Sequence, residues 1–249
     1  MSTISIPEAP QYKEGKNNTG TIEIPACFPG YGTTIGNAIR RVLLSSLEGA
    51  AITSVKIKGV SHEFSAIDGV MEDVVQIILN LKQIRFRMHT DEKVTVSLKA
   101  KGEGNVTAAD IKTSADVEVV DGSQAIATLT DKKATLEMEL TIEKGIGYVP
   151  SDQQKNREKE LGSIVIDAVY TPVKRVNYNV ENMRVGKRTD YDKVTLEIVT
   201  DGSITPQEAF DRSVSILVEQ FSALSGGVPV EEGKVEQKKE DAEEVNEEE

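Results

Sequence analysis

The sequence predicts an α+β protein whose strands pair mostly antiparallel, and three observations carry that reading. Alternating apolar and polar residues dominate the middle of the chain, and helical periodicity gathers toward its two ends. Helices also fail to alternate regularly with strands, as a parallel doubly wound sheet requires. A length of 249 residues with 38% apolar and 28% charged content suits one large domain or two ordinary ones with a sizeable core.

Taken in order, the first helix is expected where Thr33-Thr34 can cap a run of Ile35, Ala38, Ile39, Val42, Leu43 and Leu47, which recur at three- and four-residue intervals until Gly49 stops them. Residues 54–58 alternate as a strand, and Ser61-His62-Glu63-Phe64 is strand-like. The spacing of Val70, Val74, Ile77, Leu81 and Ile84 predicts a second helix over about 69–83. Residues 94–99 alternate again, and residues 135–142 do so most cleanly, with Leu136, Met138, Leu140 and Ile142 on one face. Residues 151–160 hold no apolar side chain and read as a surface loop or hairpin tip. Residues 193–198 form a last strand, running into the turn dipeptide Asp201-Gly202.

Thr205-Pro206-Gln207-Glu208 is a capping box with proline at the first helical position, so side chains of that turn answer its orphan backbone donors. From it Phe210, Val214, Leu217, Phe221 and Leu224 follow at spacings of 4, 3, 4 and 3, with Gly226-Gly227 as the stop. That seam suits another helix, and periodicity alone leaves open whether the helix belongs to the same chain or to a second copy.

Charge narrows the functional classes. The chain has 29 basic and 41 acidic residues, a net charge of −12. Its last nineteen residues, Glu231 to Glu249, hold 10 acids and 3 bases, so residues 1–230 carry only −5. That acidic tail, 231–249, is too poor in apolar residues to repay its ordering entropy and is expected to be disordered. Such a balance gives no global attraction to a phosphate backbone. No apolar run approaches 18 residues, and the polar N-terminus lacks the pattern of a secretory signal. The single cysteine, Cys27, excludes an intrachain disulfide, and a reducing cytoplasm fits best.

Catalytic chemistry is sparse. Two histidines, His62 and His89, lie far apart, and neither a metal-ligand spacing nor a Gly-x-Ser-x-Gly elbow is present. Gly30-Tyr31-Gly32-Thr33-Thr34-Ile35-Gly36 and Gly145-Ile146-Gly147-Tyr148-Val149-Pro150 invite a phosphate-loop reading, but neither completes G-x-G-x-x-G or a Walker loop. A turn into a helix and a bend after a strand explain them more simply. Asp190-Tyr191-Asp192, flanked by Arg188 and Lys193, reads as a turn or a solvated charge cluster rather than a magnesium site. No cofactor or metal is expected.

The run from Phe28 to Ser46, containing Gly32-Thr33-Thr34-Ile35-Gly36-Asn37-Ala38-Ile39-Arg40-Arg41-Val42-Leu43-Leu44-Ser45-Ser46, resembles a signature helix of the bacterial RNA polymerase alpha-subunit family. Further blocks are similar to that family in the right order: Gly59 to Ser65, Gly69 to Val74, Leu79 to Lys82, Gly145 to Pro150, Asp167 to Val173, Asn177 to Glu181 and Arg188 to Lys193. The resemblance spans about residues 15–225. It implies a dimerisation domain built from both chain ends, 1–48 plus 173–230, with a β-rich domain inserted at 49–172. It also implies a homodimer in which Phe210, Val214, Leu217, Phe221 and Leu224 meet Ile35, Ile39, Val42 and Leu43 of the other protomer. Packing of both seams within one chain is the plainer alternative.

By the same resemblance the dimer is a non-catalytic platform for the beta and beta-prime subunits, and nucleotidyl transfer belongs to the assembled complex. Arg40 and Arg41 lie about 100° apart around a helix axis, so one can serve the fold while the other reaches a partner. The family's pattern gives the partner role to Arg41, with Leu44 beside it, and makes Lys82 a further candidate. Between 174 and 188 lies a basic stretch in which Arg175, Arg184 and Arg188 are either a solvated strand face or a rim for carboxylates of the large subunits. The family usually continues into a DNA-binding carboxy-terminal domain. This sequence has only the acidic tail there, so no direct sequence-specific DNA contact is expected. Two other readings stand beside this one: a small-molecule enzyme using Gly30 to Gly36, and a stand-alone dimeric interaction module.

Overall fold

The computed structural model describes residues 4–154 and 162–224. The acidic tail, the Gly226-Gly227 stop and residues 155–160 of the expected loop lie outside them. Strands β1 (Gln11–Glu14) and β2 (Thr19–Cys27) precede helix α1 (Tyr31–Ser45), and β3 (Glu48–Ile57) leads to α2 (Val74–Leu81). Then come β4 (Phe86–Met88), β5 (Val94–Lys101), β6 (Gly104–Thr107), a 3-10 turn, β7 (Ile111–Lys112), β8 (Val117–Val119), β9 (Ala125–Leu129) and β10 (Thr135–Ile146). Short pieces β11 (Tyr148–Val149), α3 (Ser151–Gln154), β12 (Ser163–Val165) and β13 (Ala168–Val169) connect to the hairpin β14 (Val173–Val185) and β15 (Arg188–Thr200). Helix α4 (Pro206–Leu224) follows.

The architecture is mixed α+β with antiparallel sheets, as the alternation predicts. One four-stranded sheet runs β1-β2-β15-β14. Helix α1 lies over β14 and β15, and α4 packs on α1 and β2. A seven-stranded sheet runs β7-β5-β10-β3-β4-β8, with β12 also paired to β3. Leu136, Met138, Leu140 and Ile142 of β10 are all buried, as period-2 alternation requires.

Two large apolar clusters result. The first draws only on residues between Ala50 and Ile166 and includes Val55, Ile77, Leu98, Ile126 and Leu140. The second draws on the two flanks, with Ile22, Ile39 and Leu43 from one side and Val194, Leu196, Ile198 and Phe210 from the other. The clusters meet at a clamp. Arg87 donates from Nε to the Ser203 carbonyl at 2.9 Å and from an Nη to Gly202 at 3.3 Å, and Arg85 lies 3.6 Å from the buried Asp201 carboxylate.

Four expectations need correction. Helix α1 starts at Tyr31, before the expected threonine cap, because its cap comes from a distant strand. Helix α2 starts at Val74 rather than near Gly69, because Val70 is drawn into a bridge with Leu129 and Asp73 caps the helix, accepting from Gln76 N–H at 2.7 Å. Residues 61–64 form a bend and turn, not a strand, and among the described residues the exposed His62 ring meets only the Ser65 hydroxyl, at 3.2 Å. Ser151–Gln154 is a helical turn whose Gln154 amide is buried, donating to the carbonyls of Val149 and Ile166.

Candidate protein-interaction surfaces

Helix α1 is held on its sheet by an arrangement that local sequence does not reveal. Gly30 takes a left-handed φ of +85°, and the N–H groups of Gly30 and Gly32 donate to Asp192 Oδ2 at 2.9 and 3.0 Å. A buried carboxylate there answers orphan donors and the positive end of the helix dipole together. The glycines also allow close approach. A Cβ on Gly32 would stand 2.7 Å from Asp192 Cβ, and one on Gly36 would stand 2.8 Å from the Tyr178 ring. Asp192 thus already occupies two amides of the first glycine-rich stretch, which leaves the phosphate-loop alternative short of donors. Asp-x-Asp divides its labour: Asp192 caps α1, while Asp190 accepts a bidentate pair from Arg188 at 3.0 and 2.7 Å. That pair holds the Asp190 carboxyl below its usual range.

The adjacent arginines separate as helix geometry requires. Arg40 Nε donates to the Val176 carbonyl at 3.3 Å, fastening α1 to β14. Arg41 is exposed, and its guanidinium has no hydrogen bond or ion pair among the described residues. Leu44, three residues on, is partly buried and packs against the second core.

Helix α4 begins buried and ends bare. Its capping box forms as expected: Thr205 N–H donates to Glu208 Oε2 at 3.0 Å and Glu208 N–H to Thr205 Oγ1 at 3.2 Å. The first turns are covered at Ala209, Phe210 and Ser213, Val214 and Leu217 are half-covered, and Phe221 and Leu224 are 62% and 82% exposed. Val218, which the seam reading missed, is exposed too. Of the residues assigned to a partner protomer, Ile39, Leu43 and Phe210 are buried in the chain's own core and have no surface left to offer. Ile35 also packs on that core, though half-covered, and Val42 is half-covered outside it.

The other assigned residues do not form one patch. Lys82 pairs with Asp167 at 3.1 Å, and Asp167 also accepts from Ser151 N–H at 2.9 Å. These bonds, the backbone one first, hold the Asp167 carboxyl below its usual value. The basic stretch is split by the strand that carries it. Arg175 opens β14 across from Val199, whereas Arg184 and Arg188 flank the hairpin turn at its far end, about 30 Å away at the rise of an extended strand. Arg184 donates to the Gly186 carbonyl at 2.9 Å, and Arg188 lies over the rings of Phe28 and Tyr191 at 5.8 and 5.2 Å. Arg175 is exposed, with no side-chain partner among the described residues.

Two apolar surfaces escaped sequence reasoning. Met71, Val75 and Leu79 are exposed on and before α2, and Ile146 and Tyr148 are exposed beside Gly147. Among the described residues no three His, Cys, Asp or Glu side chains converge to hold a metal, and no helix is long and apolar enough to cross a membrane.

Comparison with known proteins agrees with this picture of a chain that presents surfaces. Residues 55–171 match the family model described as the RNA polymerase Rpb3/RpoA insert domain. The chain is 50% identical over 228 residues to the DNA-directed RNA polymerase subunit alpha of Symbiobacterium thermophilum, covering 91% of this chain and 72% of that one. It is 52% identical to the subunits of the same name from Alkaliphilus oremlandii, over 83% of this chain and 65% of that one, and Moorella thermoacetica, over 79% and 63%. The matches thus span between 63 and 72% of these relatives' lengths.

Proposed function

The chain belongs to the DNA-directed RNA polymerase alpha-subunit family, and from that premise we propose that it is a non-catalytic assembly subunit: it dimerises and carries the beta and beta-prime subunits. The observation that carries the dimer is the burial gradient along α4. A helix that packs its first turns on its own core and leaves Val218, Phe221 and Leu224 in water is incomplete as a monomer. These side chains, with Val214 and Leu217, fall within one side of the helix, and a second copy offers the same stripe in return. The dimer surface is then the half-covered and bare residues Ile35, Val42, Val214, Leu217, Phe221 and Leu224.

Residues 1–48 plus 173–230 form the dimerisation unit, and 49–172 form the insert. The two clusters support this division, since each draws its residues from one side of those boundaries only. Large-subunit contact centres on Arg41, an exposed cation on a helix anchored by Arg40 and Asp192. Lys82, Arg175, Arg184 and Arg188 contribute at separate points rather than as one rim. The setting is the cytoplasm, and this chain needs no cofactor.

Co-expression with beta tests the reading. The wild-type dimer should retain beta, and Arg41→Ala should remain a dimer that retains markedly less. Undiminished capture by that variant would remove Arg41 from the site.

A further inference from the structure

The Gly145-Ile146-Gly147-Tyr148 segment is built to display two apolar side chains. Gly145 lies flat against the Tyr170 ring, where a Cβ would stand 2.7 Å from ring carbons, so that side of the strand is filled. Gly147 takes φ +70°, a left-handed conformation that suits glycine, and its carbonyl accepts from Tyr170 N–H at 2.9 Å. Thus fixed from behind, the backbone turns from β10 into β11 with Ile146 56% and Tyr148 59% exposed on either side of Gly147. Both side chains thus stand more than half in water.

The segment abuts the end of α1. A Cβ on Gly147 would lie 3.8 Å from the Ser45 carbonyl oxygen, and Ser45 is one helical turn beyond Arg41. The apolar pair therefore lies against the last turn of α1, one turn along the helix from Arg41, whose guanidinium has no partner among the described residues. Glu48, opposite Ile146 in the β3–β10 ladder, sets an acid at the strand side, so a carboxylate arriving at this patch belongs over α1 and not over the strand.

We propose that Ile146 and Tyr148, together with Arg41, form an anchoring patch for the beta subunit, which fills it with a segment carrying an apolar side chain next to a carboxylate. This rests on the assembly reading above and extends its contact surface from α1 onto the insert. Charge complementarity selects the partner: among the described residues no carboxylate pairs with Arg41, and an acidic side chain on the partner would supply one. Tyrosine beside aliphatic and arginine side chains is the composition of an interface anchor.

The test is the binding of beta to purified wild-type dimer and to three variants, each first checked for dimer mass and circular dichroism. Ile146→Ser/Tyr148→Ser should stay folded and dimeric yet bind beta roughly tenfold or more weakly, the loss expected of a buried anchor. Tyr148→Phe should bind as wild type, because the contact is apolar. If Arg41→Ala weakens capture and Ile146→Ser/Tyr148→Ser does not, the patch is overturned while the assembly reading stands. If wild type captures no beta, both fall. If Ile146→Ser/Tyr148→Ser separates the dimer, a second copy occupies the patch and the proposal is wrong.

Discussion

The two cores of this chain are made in opposite ways. The cluster between Ala50 and Ile166 is contiguous in sequence and is organised by β10, which pairs with both β3 and β5. The cluster of the flanks joins residues more than 150 positions apart, and one of its helices runs past the edge of the core with its apolar side uncovered. A core made from neighbouring segments can close on itself. One that gathers both chain ends has to settle α1, α4 and the sheet together, and here the end of α4 stays uncovered.

Substitutions can break that contrast. Leu140→Ala and Leu196→Ala each remove a fully buried side chain, one per core, at a cost of about 2–5 kcal/mol. If the cores are separate cooperative units, hydrogen exchange will show Leu140→Ala releasing amides of β3 and β10 while α1 stays protected, and Leu196→Ala doing the reverse. Parallel loss of protection in both would make them one unit. Next in size, Gly36→Ala forces a methyl group against Tyr178 and should destabilise by about 1–3 kcal/mol in chemical denaturation, acting on the flank core alone.

Smaller effects sharpen the same division. Thr205→Ala removes half of the α4 capping box and should cost about 1 kcal/mol, read as a lower denaturation midpoint with an unchanged slope. The Lys82–Asp167 tie lies within the insert. Because the Asp167 carboxyl is held below its ordinary value of 3.8, the stabilisation it gives is fully present above that pH and is lost as pH falls through the lower folded value. Asp167→Asn should therefore flatten the acid limb of insert stability near and below pH 3.8, with little change at pH 7 in the flank core.

What the sequence made legible follows from how local the cause was. Period-2 alternation in 135–142 and the Thr205–Glu208 box depend on neighbours a few residues apart, and both were readable directly. The start of α1 was not, because its cap is Asp192, 160 positions away. Nor could Lys82 be paired in advance with Asp167, or the arginines of 174–188 be known to sit at opposite ends of a strand, since composition carries no register. The 4-3-4-3 spacing identified the seam of α4 but not the point where cover ends. Ile146 and Tyr148 did leave a signal, two large apolar residues flanking a glycine, which a search for phosphate loops passes over.

In the proposed dimer a second copy covers the bare half of α4. Sedimentation equilibrium on the wild-type chain and on Phe221→Ser/Leu224→Ser tests it most directly. The wild-type chain should sediment as a dimer, and the variant as a folded monomer with α1 and the insert still protected from exchange. A monomeric wild type, or a dimer that persists in the variant, would contradict it.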